Sequence, residues 1–231
     1  GSDAFYYCIS LTSITIPDSV TSIGEVAFDS CWSLASATIG NSVTSIGNAA
    51  FYGCSSLASI TIPDSVTSIG NSAFRNCGSL TSVTIPESVT YLGTNPFESC
   101  SKLAEFNGKF ASADKRCLIV DGVLHSFAPA GLTEYTIPEG ITSIGSSAFS
   151  GCSSLTSVTI GNSVTSIGYS AFEDCSSLTS VTIGNSVTEI GSDAFYYCSS
   201  LKSVYCNAAY PPALVSSTFG NTALENIYVY A

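Results

Sequence analysis

The sequence predicts a solenoid, in which short coils of mostly β structure stack into one array. Three observations predict it: a phrase that recurs, a fixed interval between its recurrences, and apolar residues that alternate within each recurrence. SVTSIGNSAFRNC at 65–77 is nearly repeated as SVTSIGNAAFYGC at 42–54 and as SVTSIGYSAFEDC at 163–175. A catalytic site needs its sequence motif only once, whereas a motif that returns at a fixed interval indicates a repeated structural unit.

The period of this repeat is 23 residues. The aligned phenylalanines are Phe5, Phe28, Phe51, Phe74, Phe97, Phe149, Phe172 and Phe195, and a cysteine follows each of them three residues later. The strand motif begins at Leu11, Leu34, Leu57, Leu80, Leu103, Leu132, Leu155, Leu178, Leu201 and Leu224. Eight of the nine leucine intervals are 23 residues and the fifth is 29. A period of about 20 to 29 residues with an L-x-x-V-x-I strand is typical of a leucine-rich-repeat solenoid, for which we expect a right-handed superhelix.

Each coil has three parts. In the strand LTSVTI at 80–85, Val83 and Ile85 are two residues apart, so both face inward. Turn residues follow, and then a second extended segment, SVTYLG, at 88–93. In AFRNC at 73–77 the alanine, phenylalanine and cysteine have the spacing of one face of a helical turn. We therefore expect one parallel strand, a second extended segment and a short helical turn in each coil.

Residues 1–231 are predicted to form a single array with three irregular parts. Residues 1–10 are an incomplete N-terminal coil, whose open apolar end is available for self-association. Residues 103–131 are an irregular repeat, in which the Asp-Gly of LIVDGVLH favours a β-hairpin. This segment is either a tolerated insertion or a recognition loop. Residues 207–231 depart from the repeat and are predicted to be a C-terminal capping repeat.

The repeat phrase resembles a known family. The pattern L-x-x-V-T-I-P-x-S-V-T-x-I-G-x-x-A-F-x-x-C, present over nearly the whole chain, is similar to the BspA-like, or Treponema-type, leucine-rich repeats. The resemblance implies a secreted or cell-surface protein of a host-associated microbe, hence an extracellular or cell-surface location. It also implies a non-catalytic protein-binding or adhesion module, with a host extracellular-matrix or cell-surface protein as its partner. A structural spacer, or stalk, without its own ligand is the alternative.

Composition and motifs argue against several other functions. The net charge of -11 would repel nucleic acid and anionic lipid. No apolar run approaches the roughly 20 residues of a membrane span, so direct membrane insertion is not expected. His125 is the one histidine, and no metal-binding, dinucleotide-binding or phosphate-binding motif occurs. We therefore expect no enzyme activity, no metal and no cofactor.

The periodic cysteines could form disulfides, bind zinc or remain free thiols. Neighbouring coils would place Cα atoms about 5 Å apart, within the disulfide range, but parallel side chains would keep the Cβ atoms near 5 Å as well, beyond the usual ~3.8 Å. One cysteine per coil also cannot gather the ligands of a zinc ion. We therefore expect buried free thiols. Cys117 and Cys206 fall outside the ladder, and their state stays open.

The outward positions of the strands form two columns, mostly of serine and of threonine. Small hydroxyls suit a half-exposed strand, and they leave a smooth surface on which a partner can lie. The columns are interrupted by acidic and amide residues in the middle of the chain and by tyrosines near its end. The candidate partner-binding residues are Glu105, Asn107, Glu134, Tyr205, Tyr228 and Tyr230. The tyrosines also have a purely structural interpretation, as part of the cap.

Overall fold

The structure is a computed structural model, and it describes residues 1–208, 210, 212–215 and 217–230. Its strands in this part of the chain are β1 Ser13–Ile16, β2 Ser22–Ile23, β3 Ser36–Ile39, β4 Ser45–Ile46, β5 Ser59–Ile60, β6 Ser68–Ile69, β7 Ser82–Ile85, β8 Tyr91–Leu92, β9 Glu105–Gly108, β10 Cys117–Val120, β11 Val123–Phe127, β12 Glu134–Thr136, β13 Ser143–Ile144, β14 Ser157–Thr159, β15 Ser166–Ile167, β16 Ser180–Ile183, β17 Glu189–Ile190, β18 Ser203–Cys206 and β19 Asn226–Val229. Four residues of the predicted cap, Ala209, Pro211, Ser216 and Ala231, lie outside the described residues.

The chain forms two compact units. The first unit comprises residues 1–118 and 126–128, and the second comprises residues 119–125 and 129–231. Whether they build the predicted single array stays a prediction.

Each unit is a leucine-rich-repeat solenoid with two parallel strand ladders. In the first unit one ladder joins β1, β3 and β5 and is continued by the pair β7 and β9, while the other joins β2, β4, β6 and β8. In the second unit β12, β14, β16, β18 and β19 form one ladder, and β11, β13, β15 and β17 belong to the other. Partners such as Ser13 and Ser36 are 23 residues apart. The predicted parallel strand and second extended segment of each coil are thereby confirmed.

The core of each unit consists of columns of identical side chains. Leu80, Val83 and Ile85 are buried as predicted. The phenylalanines stack face to face, with ring centroids 5.0 to 5.3 Å apart from Phe5 to Phe97 in the first unit. From Phe149 to Phe219 in the second unit they are 4.7 to 5.2 Å apart. Each ring inside a column is therefore covered by its neighbours from adjacent coils.

The predicted helical turn is wrong. In the coil at 71–77 the amides of Arg75 and Cys77 donate three residues back, to Ser72 O at 3.0 Å and to Phe74 O at 3.2 Å. The amide between them, that of Asn76, donates to Glu98 O of the next coil at 2.9 Å, and the amide of Phe74 donates to Pro96 O of that coil at 2.8 Å. An α-helix would direct all these donors along its own axis, to acceptors four residues back. The segment is a pair of tight turns, because every second amide is used to join coils.

Two positions of each turn segment adopt positive φ, the left-handed region. The position two residues before each ladder phenylalanine is taken by Asp3, Val26, Ala49, Ser72, Asn95, Ser147, Ser170 and Asp193. The position before each ladder cysteine is taken by Tyr7, Ser30, Gly53, Asn76, Ser99, Gly151, Asp174 and Tyr197. Left-handed backbone is unfavourable for most side chains, and for a β-branched valine above all. The hydrogen bonds between coils hold the chain in this conformation.

The irregular segment contains two strands that are neighbours in one sheet, β10 and β11. Asp121 and Gly122 join them with φ values of 50° and 79°, the left-handed pair of a type I′ turn. Leu124 and Phe127 are buried, and Val120 is half-buried.

Candidate interaction surface

The outward faces of the long strands carry regular hydroxyl columns. In the first unit Thr15, Thr38, Thr61 and Thr84 are exposed, and Ser13, Ser36 and Ser59 run beside them. The parallel register places each hydroxyl one coil from the next. This surface offers repeated hydrogen-bonding groups and few bulky side chains.

Glu105 and Asn107 interrupt the columns together. They lie on β9, opposite Ser82 and Thr84 of β7. Asn107 Nδ2 donates to Glu105 Oε1 at 3.1 Å, and Lys115 Nζ lies 3.6 Å from Glu105 Oε2. The hydrogen bond from Asn107, and then the charge of Lys115, hold the pKa of Glu105 below its ordinary value. The result is a polar cluster with an ionised carboxylate on the strand face of the first unit.

The remaining candidates lie in the second unit, but not in one place. Glu134 is exposed on β12, opposite Ser157 of β14. Tyr205 and Tyr228 lie on β18 and β19, at the other edge of the same sheet. Two strands, β14 and β16, separate Glu134 from the tyrosines. The structure therefore divides the predicted candidates into three groups.

The tyrosine group is the most prominent. The rings of Tyr205 and Tyr228 stack with centroids 5.0 Å apart and planes within 9° of parallel. Tyr228 is 41% exposed and Tyr230 is 55% exposed, and the edge strand β19 is exposed along its whole length. Tyr205 is half-buried beneath this exposed edge, and a stacked aromatic pair is unusual on a surface built mainly from threonine and serine. Such rings provide large contact area at little cost in conformational entropy.

The ladder cysteines are free thiols with a defined structural role that the sequence did not suggest. Buried ladder thiols in both units donate to the phenylalanine carbonyl of the preceding coil; the distances are 3.2 Å from Cys54 Sγ to Phe28 O and 3.1 Å from Cys175 Sγ to Phe149 O. Cys117 and Cys206 are also buried, and they are not joined in disulfides. Burial raises the pKa of Cys100 to about 12, and it raises the pKa of Cys77 as well. These thiols are weak nucleophiles because their thiolate forms are scarce.

Thiol labelling provides a direct check. At pH 8 in the native protein we expect rapid alkylation of one cysteine, Cys8, because the other nine are buried. In denaturant all ten cysteines should be alkylated, and adding reductant should not raise the number of labels. Mass spectrometry after iodoacetamide treatment counts the labels. A labelled total that rises with reductant would contradict the free-thiol assignment.

His125 is half-buried on β11, and burial holds its pKa below the ordinary value. Over the described residues, no three histidine, cysteine, aspartate or glutamate side chains gather as a metal site would require. In that same part of the chain, no helix has the length and apolar character needed to cross a bilayer.

Comparison with known families agrees with the geometry. Residues 1–113 and 124–231 match the BspA type leucine rich repeat region, in six copies. The chain belongs to this family. No curated protein matches the sequence.

Solved structures of similar proteins come from several bacteria. A leucine rich cell surface protein from Faecalibacterium prausnitzii is 29% identical with a TM-score of 0.66; the match covers 100% of this chain and 76% of that one. A leucine-rich repeat protein from Eubacterium ventriosum is 27% identical with a TM-score of 0.77, over 95% of this chain and 61% of that one. A third, a leucine-rich repeat protein from Bacteroides ovatus, is 29% identical with a TM-score of 0.51; the match covers 99% of this chain and 77% of that one. This BspA-type chain thus spans part of the length of each.

Proposed function

We propose that this chain is a non-catalytic protein-binding module that acts in adhesion, as part of a secreted or cell-surface protein of a host-associated microbe. The similarity to a cell surface protein of Faecalibacterium prausnitzii supports the location. The observation that carries the proposal is the stacked pair of half-buried Tyr205 and exposed Tyr228, next to exposed Tyr230, on a strand face built mainly from small hydroxyls.

The partner we propose is a host extracellular-matrix or cell-surface protein. Tyrosine is enriched at the centres of protein interfaces, where its ring is buried and its hydroxyl is hydrogen-bonded. The serine and threonine columns of β12, β14 and β16 continue from the tyrosines across the same sheet and provide further donors and acceptors. The net charge of -11 favours a partner with a basic surface. The cluster of Glu105 and Asn107 is a second candidate contact, in the first unit.

A double variant, Tyr205→Thr with Tyr228→Thr, tests the proposal. Threonine suits a strand and is the residue that these positions carry in most coils, so we expect the fold to persist. Against a panel of immobilised human matrix and cell-surface proteins, we expect the native protein to bind at least one. The double variant should bind that ligand at least tenfold more weakly.

Tyr91→Thr is the matched control. Tyr91 is 54% exposed on β8, outside the long-strand ladder, and its replacement should leave the affinity unchanged. A panel without any ligand would favour the structural spacer instead. If the double variant binds the ligand as tightly as the native protein, the contact does not involve the tyrosines.

A further inference from the structure

One position of the turn segments holds a cation in the first unit. This position, directly after the ladder phenylalanine, is taken by Tyr52, Arg75 and Glu98 in three consecutive coils. Arg75 Nη2 lies 3.0 Å from Glu98 Oε1, and Arg75 Cζ lies 5.8 Å from the centroid of the Tyr52 ring. An aromatic ring and a carboxylate at this position therefore hold a guanidinium group between them.

The second unit carries the same two kinds of group without the cation. Glu173 and Tyr196 occupy that position in consecutive coils, and Asp174 and Tyr197 occupy the next position along the chain. We call these four residues the acidic aromatic cluster. The rings of Tyr196 and Tyr197 meet edge to face, with centroids 4.5 Å apart. Two carboxylates thus lie one coil away from two aromatic rings.

The cluster is held by its backbone and remains accessible. Asp174 N donates to Tyr196 O at 3.0 Å, and Tyr197 N donates to Gly220 O of the following turn at 3.0 Å. Tyr197 is 49% exposed, Asp174 is exposed, and Glu173 and Tyr196 are half-buried. Because a coil lies on each side of the cluster, this exposure belongs to the side of the solenoid and not to either of its ends.

The charges of the second unit favour a basic ligand. This unit contains one lysine or arginine, Lys202, and eight aspartates and glutamates. Lys202 Nζ lies 3.7 Å from Glu225 Oε1. Among the residues that the structure describes, no lysine or arginine forms an ion pair with Glu173 or Asp174. Both carboxylates of the cluster are therefore available to a cation from another molecule.

We propose that the acidic aromatic cluster binds an arginine side chain in a basic segment of a partner protein. The guanidinium plane stacks on the exposed ring of Tyr197, and its N–H groups donate to the carboxylate oxygens of Asp174. A second basic residue of the same segment pairs with Glu173. Arginine suits the cluster better than lysine, because its planar fork matches a carboxylate and its face stacks on an aromatic ring.

This site is separate from the contact on the strand face. Tyr205 and Tyr228 lie on β18 and β19, whereas the cluster lies in the turn segments. The inference therefore goes beyond the proposed function and does not require it. A short peptide that carries only the recognised side chains tests the cluster without the matrix or cell-surface ligand.

The probe is the peptide acetyl-Gly-Arg-Gly-Arg-Gly-amide, titrated into the isotope-labelled native protein and followed by two-dimensional NMR. We expect saturable shifts of the backbone amide signals at residues 173–174 and 196–197. The same peptide with lysine in place of arginine carries an equal charge and should bind more weakly. If no signal shifts up to millimolar peptide concentration, the proposal is overturned.

Tyr196→Ser with Tyr197→Gly removes both rings and leaves the net charge unchanged. Ser150 and Gly151 form this pair in another coil of the same unit, and Gly151 has a φ of 73°, so the turn should tolerate the change. We expect the variant to bind the arginine peptide about fivefold more weakly and to lose the preference for arginine over lysine. Circular dichroism verifies its fold. A variant that binds the peptide as tightly as the native protein would refute a role of the rings.

Two charge variants separate the cluster from general attraction to an acidic protein. Glu173→Gln with Asp174→Asn should weaken binding about fivefold. Glu139→Gln with Glu189→Gln removes two exposed carboxylates elsewhere in the same unit, and the loss should stay below about twofold. Equal losses would mean that the peptide follows net charge alone, which overturns the proposal.

The double variant Tyr205→Thr with Tyr228→Thr distinguishes the two proposals. It should bind the arginine peptide as the native protein does, even though we expect it to lose the ligand of the strand face. If it loses the peptide as well, the arginine contact lies on the strand face and the assignment to the acidic aromatic cluster is wrong.

Discussion

Replacing Phe74 with alanine is expected to lower the free energy of unfolding of the first unit by about 3–5 kcal/mol, the range for a buried phenylalanine. Its ring is fully buried between Phe51 at 5.3 Å and Phe97 at 5.2 Å. Removing it deletes two aromatic contacts and opens a cavity inside the column. The rings of adjacent coils cannot close this gap, because hydrogen bonds between the coils fix their spacing.

Phe5→Ala is the matched comparison for this substitution. Phe5 belongs to the same column, but it is 38% exposed and it stacks on one ring, Phe28. Water already reaches one of its faces, so the loss should be less than half of that for Phe74→Ala. Urea unfolding followed by circular dichroism gives both values. Equal losses would mean that the column is not the cooperative core of the first unit.

The buried part of this fold could be predicted from the sequence because its period is regular. Residues two apart on a strand face the same side, so Val83 and Ile85 could be assigned to the core without coordinates. The 23-residue interval also placed Tyr205 opposite Tyr228, which the register confirms. Both inferences need only local geometry and a constant coil length.

The turn segments could not be derived in this way. Alanine, phenylalanine and cysteine at i, i+1 and i+4 fit one helical turn and fit two tight turns equally well. The deciding contribution is the hydrogen bond that an amide of each turn donates to the next coil, such as that from Phe74 N to Pro96 O at 2.8 Å. A signal was nevertheless present: Gly53, Asn76 and Asp174 share the position before the cysteine, and these residue types tolerate positive φ.

The candidate surface was only partly predictable for a related reason. The columns of the sequence indicated Glu105 and Asn107, but the contact with Lys115 depends on the path of the irregular segment. The thiol acceptors could not be predicted either. Each is a carbonyl 26 residues away, one coil plus the turn, as for Cys77 Sγ and Phe51 O at 3.2 Å.

A methyl group added at Gly70 should be about as damaging as the loss of an aromatic ring. A Cβ atom there would lie 2.6 Å from Asn48 N and 2.7 Å from Gly47 C, both in the backbone of the preceding coil. Neither atom can move alone, because the two coils are held together here by a hydrogen bond from Gly70 N to Ile46 O at 2.9 Å. Gly70→Ala must therefore separate the two coils, and we expect a loss of about 3 kcal/mol, at the upper end of the usual range for overpacking.

Gly53→Asn separates this steric effect from a general dependence on glycine. Gly53 has a φ of 68°, but a Cβ there would have its nearest neighbour at 3.7 Å, and Asn76 occupies the same position one coil later with a φ of 62°. Asparagine tolerates this conformation, so the change in unfolding free energy should stay within about 1 kcal/mol. Urea midpoints of the two variants measured side by side decide the matter. If Gly70→Ala unfolds no earlier than Gly53→Asn, close backbone approach is not what sets the spacing of the coils.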